Sequence, residues 1–276
     1  MSSITVSGIS ARRSQRLRAR YGPWAVVTGA SDGIGRAAAH QLAAAGLALV
    51  LCARRRDALE ALAGELGSSS GVEVRVVTAD LGTRAGIEAL VAATRELPVG
   101  LLVAAAGFGT SGPFLDNALE EELAMLDVNC RAVTALGHHF GKRFKEQQRG
   151  GLVLMSSLLA FQGVPRAAHY AATKAYVQSL AEGLRVELQP FGVDVIASAP
   201  GPIRSGFGAR ANMTMALAGT PATVARSTLY ALGSAGTVRP GSLSKLLELS
   251  LSLLPRWGRV FVLSRVMAGM TKHRGA

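Results

Sequence analysis

Four side chains in the middle of the sequence have types and spacings suited to proton transfer. Tyr170 and Lys174 stand four residues apart, Ser157 lies thirteen residues before the tyrosine, and Asn129 lies further upstream. Residues four apart on a helix share one face, so the phenol and the ammonium can address the same bound molecules. A nearby positive charge favours a phenolate, and we therefore expect a lowered pKa for Tyr170. Alone the pattern is weak, because Tyr and Lys at this spacing are common on exposed helices.

The segments that must position these groups alternate between short apolar runs and helical patterns. The apolar runs predict strands at 25–28, 47–52, 72–78, 101–105, 152–156 and 193–197, and helices are predicted at 33–46, 57–66, 84–96, 120–147 and 167–188. Nearly continuous apolar strands that alternate with helices indicate a parallel sheet covered on both faces. We expect an α/β fold, a single Rossmann domain with a doubly wound parallel sheet of about seven strands. Such sheets bind ligands at the carboxyl ends of their strands.

A glycine-rich turn follows the first predicted strand. Glycines at positions 29, 33 and 35 are spaced as TGxxxGIG rather than GxGxxG. They permit a tight turn, close approach of the backbone to a pyrophosphate, and a helix N-terminus that faces the anion. The alternative is a glycine turn without a ligand. Glycines and polar residues also follow later strands, and this shared edge favours the ligand site.

The end of the second predicted strand indicates which dinucleotide binds. The sequence there reads Leu51-Cys52-Ala53-Arg54-Arg55-Arg56, with no acid before Asp57. A carboxylate at this position would accept from the ribose hydroxyl of NAD, whereas arginine accommodates the 2′-phosphate of NADP. We predict NADP(H) as the cofactor, with Arg54 as the leading contact and Arg55 as the second. For Arg56 the alternative is a solvated helix start.

With the Gly33 motif, Ser157, Tyr170 and Lys174 together, the chain resembles the short-chain dehydrogenase/reductase family over about residues 22–240. The interval from Ser157 to Tyr170 and the pair Pro200-Gly201 match the pattern of that family. The resemblance implies an oxidoreductase in which Ser157 orients a carbonyl and Tyr170 passes the proton. Lys174 would hold the nicotinamide ribose, and Asn129 would position a water that relays protons.

The resemblance also implies a cofactor site spread over the strand ends. Asp80 would meet the adenine, and the backbone of Ile203 would meet the nicotinamide amide. Two departures from the family pattern occur: Ala105 replaces an asparagine that ties neighbouring strands, and Ser205 replaces a threonine. The predicted cofactor contacts are Gly29, Ser31, Asp32, Gly33, Ile34, Gly35, Arg54, Arg55, Asp80, Leu81, Ala105, Ala106, Gly107, Tyr170, Lys174, Pro200, Gly201, Ile203 and Ser205.

The substrate class is suggested by the opening motif. Residues 21–29 and 31–35 resemble the subgroup that contains 3-oxoacyl-CoA and 17β-hydroxysteroid reductases, which implies a large hydrophobic ketone. Residues 206–219 are rich in Gly, Ala and Met and could close over a substrate as a lid. The predicted substrate contacts are Phe108, Leu158, Phe161 and Met213.

Two function classes follow from these patterns. The first is an NADP(H)-dependent oxidoreductase that reduces the carbonyl of a 3-oxoacyl thioester or steroid-like ketone, or oxidises the corresponding secondary alcohol. The second is a non-catalytic NADP-binding regulator with the same fold. The presence of all four catalytic candidates favours the enzyme.

The net charge of +12 is concentrated at the two ends. Residues 1–20 hold five arginines and no acid, and the chain from Arg239 onward holds seven basic residues and one acid. We therefore divide the chain into a basic N-terminal arm at 1–20, a catalytic domain at 21–240 and a basic amphipathic extension at 241–276. Neither end has the ~20 apolar residues that cross a bilayer.

The role of each end stays open at this stage. The N-terminal arm fits either a disordered segment or a transit peptide. The leucines of 243–254 fit a face packed against the domain or a second subunit, or a face on an anionic membrane with Arg256, Trp257 and Arg259 at the headgroups. We expect a cytoplasmic homo-oligomer, a dimer or tetramer, with a membrane-peripheral location as the alternative. Neither a metal nor a nucleic-acid partner is expected, and Cys52 and Cys130 are expected to be buried thiols.

Overall fold

A single parallel sheet of seven strands forms the centre of the computed structural model, which describes residues 10–211, 218–241, 251 and 253–271. The strand order is β3-β2-β1-β4-β5-β6-β7. This confirms the predicted α/β class and doubly wound sheet, and each predicted strand is present within two residues of its expected bounds. The strands are β1 Trp24–Thr28, β2 Ala48–Ala53, β3 Val74–Thr78, β4 Val99–Ala104, β5 Gly150–Met155, β6 Val193–Ser198 and β7 Thr237–Val238.

Helices cover both faces of the sheet. The segment predicted as one helix at 120–147 is divided by a π-helical turn at Asp127–Arg131. Turns of this type are frequent at functional sites. The described helices of five or more residues are α1 Ala11–Tyr21, α2 Gly33–Ala44, α3 Arg56–Ser70, α4 Arg84–Ala93, α5 Leu119–Leu126, α6 Ala132–Glu146, α7 Ala168–Leu188, α8 Gly206–Arg210, α9 Pro221–Ala231 and α10 Arg256–Met270.

Two hydrophobic cores lie on opposite faces of the sheet. Val27 belongs to the core beneath α2 and α9, whereas its neighbour Val26 belongs to the core beneath α4, α6 and α7. Side chains alternate across a strand, so a strand buried on both faces must be apolar at every position. This is why the apolar runs in the sequence predicted the strands well. Both cysteines are buried free thiols, as expected.

The arginine-rich segment before the first strand is a helix packed on the domain, and the expectation of a disordered arm is wrong for residues 11–20. Leu17 and Tyr21 of α1 are buried in the core. Arg13 donates to the carbonyl oxygen of Leu229 at 2.6 Å, and the phenol of Tyr21 donates to Asp194 at 2.6 Å. Tyr21 packs where β4 and β5 begin, so α1 lies at the amino edge of the sheet, opposite the strand ends that bind ligands.

The C-terminal segment contributes a helix that the sequence analysis did not predict. Leu263 and Met267 of α10 pack with Leu251 against Val164 and Ala171, next to the start of α7. Most of the leucine pattern at 243–254 lies outside the described residues. Within the part of the chain that the structure describes, no helix is long and apolar enough to span a bilayer.

Candidate active site

A cavity of about 490 Å³ opens at the carboxyl edge of the sheet. It is bounded by the loops that follow the strands, by α8 and by α10. Ser157, which follows β5, and Tyr170 and Lys174, both on α7, line it. All nineteen residues predicted to contact the cofactor also line this cavity. Residues separated by up to 176 positions in the sequence are therefore neighbours around one space.

Ser157 and Tyr170 form a hydrogen-bonded pair in the cavity wall. Ser157 caps the 3₁₀ turn that follows β5, and its hydroxyl accepts from the backbone N–H of Leu159 at 3.2 Å. Burial raises the pKa of Tyr170 to about 12, although the hydrogen bond to Ser157 opposes the rise. The protein's own groups thus shift this pKa in the direction opposite to the one expected from the sequence. Burial disfavours the phenolate more than its neighbours favour it.

Lys174 is buried in the cavity wall beside Tyr170. Its Nζ donates to the carbonyl oxygen of Met155 at 3.0 Å and lies 5.7 Å from the centroid of the Tyr170 ring. Burial lowers the pKa of Lys174 to about 8. The side chain is therefore a cation at neutral pH that loses its proton more readily than an exposed lysine.

Asn129 lies behind the cavity wall rather than in it. It belongs to the π-helical turn, and its Nδ2 donates to the carbonyl oxygen of Phe108 at 2.9 Å and to the hydroxyl of Thr173 at 3.1 Å. Its Oδ1 accepts from the N–H of Phe108 at 3.1 Å. A Cβ at Gly107 would lie 2.9 Å from this Oδ1 and 3.5 Å from Lys174 Nζ. Glycine at 107 thus lets the asparagine and the lysine approach the same loop.

The glycine-rich turn brings the N-terminus of α2 to the cavity. A Cβ at Gly35 would clash with the carbonyl oxygen of Gly29, so the close packing of helix on strand requires glycine. Asp32 precedes the helix, and its carboxylate accepts from the N–H of Gly206 at 3.0 Å. The turn is thereby linked to α8 on the far side of the cavity. Backbone N–H groups at a helix start favour a phosphate oxygen.

The two predicted phosphate-binding arginines lie where β2 ends. Arg54 and Arg55 both line the cavity, and Arg55 donates to the carbonyl oxygen and hydroxyl of Ser31 at 3.1 and 3.3 Å. Arg56 begins α3 and pairs with Glu60 at 2.7 Å on the surface, which fits the alternative of a solvated helix start. Two guanidinium groups and a hydroxyl, with no carboxylate before Asp57, suit a phosphate. The residues present therefore fit NADP(H).

Although Ala105 replaces an asparagine of the family pattern, a side-chain hydrogen bond connects the ends of β1 and β4. The hydroxyl of Thr28, at the end of β1, accepts from the N–H of Ala106 at 3.0 Å. This bond connects the ends of two neighbouring strands next to the position where the family pattern has an asparagine.

The predicted substrate contacts divide into three groups. Phe108 and Leu158 line the cavity. Phe161 does not, because its ring lies beneath the guanidinium of Arg239 at 4.4 Å. Met213 lies outside the described residues. Phe207 and Arg210 of α8 belong to the predicted lid at 206–219 and also line the cavity, whereas sequence reasoning missed four lining residues of α10, which are Leu263, Val266, Met267 and Met270.

The residues of α8 lie close to Tyr170 and to the predicted substrate contact Phe108. The rings of Phe207 and Tyr170 lie 5.4 Å apart, and the Arg210 guanidinium stacks over Phe108 at 3.8 Å. The apolar residues of α10 gave no signal, because apolar helical residues most often mark only core packing. What directs them to this cavity is the packing of α10 beside α7.

The fold and the residues that line the cavity are those of an oxidoreductase that uses a nicotinamide cofactor. The family model for short chain dehydrogenase matches residues 23–216, and the chain belongs to the short-chain dehydrogenase/reductase family. The match ends before α10. Helix α10 and the part of the cavity wall that it forms therefore lie outside the residues matched by the family model.

Similar proteins include enzymes of two kinds. The 7beta-hydroxysteroid dehydrogenase of Clostridium sardiniense is 37% identical over 186 residues, 67% of this chain and 70% of that protein. The very-long-chain 3-oxoacyl-CoA reductase of Meyerozyma guilliermondii is 38% identical over 188 residues, 64% of this chain and 55% of that protein. This chain thus matches little more than half of the reductase.

Solved structures extend the likeness over most of the fold. A structure from a study of 7beta-hydroxysteroid dehydrogenase stereoselectivity has a TM-score of 0.83 and 28% identity, and covers 90% of this chain and 98% of that chain. A short-chain dehydrogenase from Sphingobium yanoikuyae in complex with NADPH has a TM-score of 0.76 and 30% identity, and covers 84% of this chain and 93% of that chain.

Proposed function

We propose that this protein is an NADP(H)-dependent carbonyl reductase that acts on a large hydrophobic ketone, or on the corresponding secondary alcohol in reverse. The observation that carries the proposal is one continuous cavity with Arg54 and Arg55 at β2 and with Ser157 and Tyr170 beyond β5. These strands are three positions apart in the sheet, roughly 14 Å at the usual strand spacing. An extended dinucleotide with a 2′-phosphate suits this separation.

In the reductive direction, the proton comes from Tyr170. A phenol whose pKa is about 12 stays protonated at neutral pH and donates to an oxygen that becomes an alkoxide. The Ser157 hydroxyl holds the same carbonyl oxygen and donates a second hydrogen bond as negative charge develops. When bound, the nicotinamide cofactor supplies the hydride for the carbonyl carbon.

Lys174 has its effect after the proton has left the phenol. Its charge lies 5.7 Å from the ring centroid and favours the phenolate over the neutral form. The Oδ1 of Asn129 accepts a hydrogen bond from the N–H of Phe108, and an amide oxygen has room for a second one. We propose that it holds a water through which Tyr170 regains its proton, with Lys174 as the next member of the relay.

The walls of the cavity support an apolar substrate. Phe108, Leu158 and Phe207 surround the catalytic end, and Leu263 and Met267 close it from α10. The relatives named above are, by their names, a hydroxysteroid dehydrogenase and a very-long-chain 3-oxoacyl-CoA reductase. Steroid and long acyl substrates combine a large apolar body with one oxygen to be reduced. A steroid-like ketone and a 3-oxoacyl thioester are therefore the substrate classes that we propose.

The test compares Tyr170→Phe with Tyr176→Phe, a change at a half-exposed tyrosine on the same helix. NADPH oxidation is followed with a panel of steroid ketones and 3-oxoacyl thioesters, and NADPH binding is measured separately by calorimetry. Tyr170→Phe should lower kcat by about 100-fold or more with unchanged NADPH affinity, which is the usual contribution of a general acid. Unchanged turnover in Tyr170→Phe would refute the mechanism. NADPH binding without turnover of any ketone would instead favour the regulator.

We also propose a homo-oligomer. Leu119, Leu123 and Leu126 are exposed along α5, and a contiguous apolar surface of this kind is typical of an interface. Sedimentation equilibrium measures the mass in solution. A monomer at micromolar concentration would contradict this proposal.

A further inference from the structure

Apolar side chains lie on the inner and on the outer side of α10, and the described residues cover only the inner side. Leu263 and Met267 face the domain and are buried, whereas Trp257, Phe261 and Val266 are 76%, 57% and 47% exposed. Trp257 and Phe261 are one helical turn apart and form adjacent parts of one surface. Large exposed apolar surfaces of this kind are typical of sites that contact a protein or a membrane.

The same surface is cationic. Arg256, Arg259 and Arg265 belong to α10, and no acidic residue follows Glu248 in the sequence. The guanidinium of Arg265 lies 5.2 Å from the centroid of the Phe261 ring, so the charge lies directly beside the exposed aromatic group. Aromatic rings interspersed with arginine suit the boundary between lipid headgroups and acyl chains.

The exposed surface of α10 adjoins the active-site cavity. Val266 lines the cavity and is also nearly half exposed, and Leu263 and Met267 line the cavity one turn away. The other basic helix, α1, lies at the opposite edge of the sheet, where Arg13 and Arg20 bind Leu229 and Asp194. Basic charge near the cavity mouth is therefore supplied by α10 rather than by α1.

We propose that the outward face of α10 docks onto the surface of an anionic lipid membrane, so that the mouth of the cavity lies at the membrane. This docking face consists of Leu253, Trp257, Phe261, Val262 and Val266 with the exposed Arg256 and Arg265, and Arg259, whose Nε donates to the carbonyl oxygen of Leu254, lies at its margin.

A lipid surface fits this face better than a second copy does. Two copies of α10 packed face to face would bring arginines against arginines, with no acid after Glu248 in either chain to offset them. Anionic headgroups provide the opposite charge, and each basic residue at such a surface strengthens binding about fivefold. Access of an apolar substrate from the bilayer to the cavity rests on the proposed function, whereas the docking itself does not.

Vesicle sedimentation of the full chain tests the proposal. Vesicles of phosphatidylcholine alone are compared with vesicles that also contain phosphatidylglycerol. The full chain should bind the anionic vesicles at least about tenfold more tightly, because the exposed Arg256 and Arg265 contribute about fivefold each, or about 25-fold together. Trp257→Ser with Phe261→Ser should weaken binding to them about tenfold or more. Arg265→Gln should weaken it about fivefold.

Leu115→Ser is the matched control, because Leu115 is 90% exposed on a different segment and its replacement should leave vesicle binding unchanged. Circular dichroism checks that each variant is folded. Equal affinity for the two kinds of vesicle, or equal losses in the control and the α10 variants, would overturn the proposal. A halved mass in solution for the Trp257 and Phe261 variant, with no vesicle binding by the unaltered chain, would assign the face to a second copy and also overturn it.

The outcome is independent of turnover. Vesicle binding requires no ketone, so a failure to find a substrate leaves this result unaffected. Conversely, active protein that does not bind anionic vesicles would refute the docking face and leave the proposed chemistry unchanged.

Discussion

Replacing Arg54 by alanine should convert a preference for NADPH into near indifference between NADPH and NADH. Arg54 and Arg55 line the cavity at the end of β2, but Arg55 already donates to two oxygens of Ser31. Arg54 should therefore provide the larger share of the contact with a 2′-phosphate. A hydrogen bond to a charged group contributes about 1.5 to 3 kcal/mol. Since 1.4 kcal/mol is tenfold in affinity, NADPH binding should weaken about 10- to 150-fold.

The assay is a titration of NADPH and of NADH against each variant by calorimetry. NADH lacks the phosphate, so its affinity should be nearly unchanged in Arg54→Ala, and Arg55→Ala should show the same selectivity change with a smaller magnitude. Arg56→Ala is the matched control, because Arg56 pairs with Glu60 at 2.7 Å on the surface. An unchanged ratio of the two affinities in Arg54→Ala, or an equal loss for both cofactors, would refute the reasoning.

Two further predictions concern stability. Tyr21→Phe removes a 2.6 Å hydrogen bond to Asp194, and urea unfolding should show a loss of about 1.5 to 3 kcal/mol because the acceptor is charged; a loss equal to that of Tyr230→Phe, at an exposed tyrosine, would contradict it. Burial lowers the pKa of Lys174 from 10.5 to about 8, so the folded state binds its proton less tightly than the unfolded state does. Lys174→Met should therefore raise the free energy of unfolding by on the order of 2 to 3 kcal/mol below pH 8. This gain should shrink as the pH rises toward 10.5, and urea unfolding across that range would disprove the prediction if the gain were independent of pH.

Much of the fold could be predicted because its signals are local. Val26 and Val27 point to opposite faces of β1, and both must be apolar in a sheet covered on both sides. The glycine turn could be predicted equally well, because glycine is required at position 35 by a contact with Gly29, only six positions earlier. The bounds of β7 at Thr237–Val238 could not be predicted, since two residues are too few for a periodic pattern.

Expectations that depended on burial were less successful. The arginines of α1 fitted a disordered segment or a transit peptide equally well, because their partners Leu229 and Asp194 lie far away in the sequence. The pKa of Tyr170 was expected to fall, since the sequence revealed a nearby lysine but not the degree of enclosure. Both the packing of α1 and the pKa of Tyr170 depend on residues that are distant in the sequence and close only in the folded structure.

The sequence by itself determined the architecture, the family and the identity of the groups that we propose for chemistry, because strand patterns, glycine spacing and the interval from Ser157 to Tyr170 are short-range properties. Only the tertiary structure decided how those groups are charged and what surrounds the substrate. Desolvation depends on every atom packed around Tyr170 and Lys174, and the wall from α10 exists because residues about a hundred positions away fold back beside α7. Contacts between residues so far apart produce no repeating pattern in the sequence from which they could be predicted.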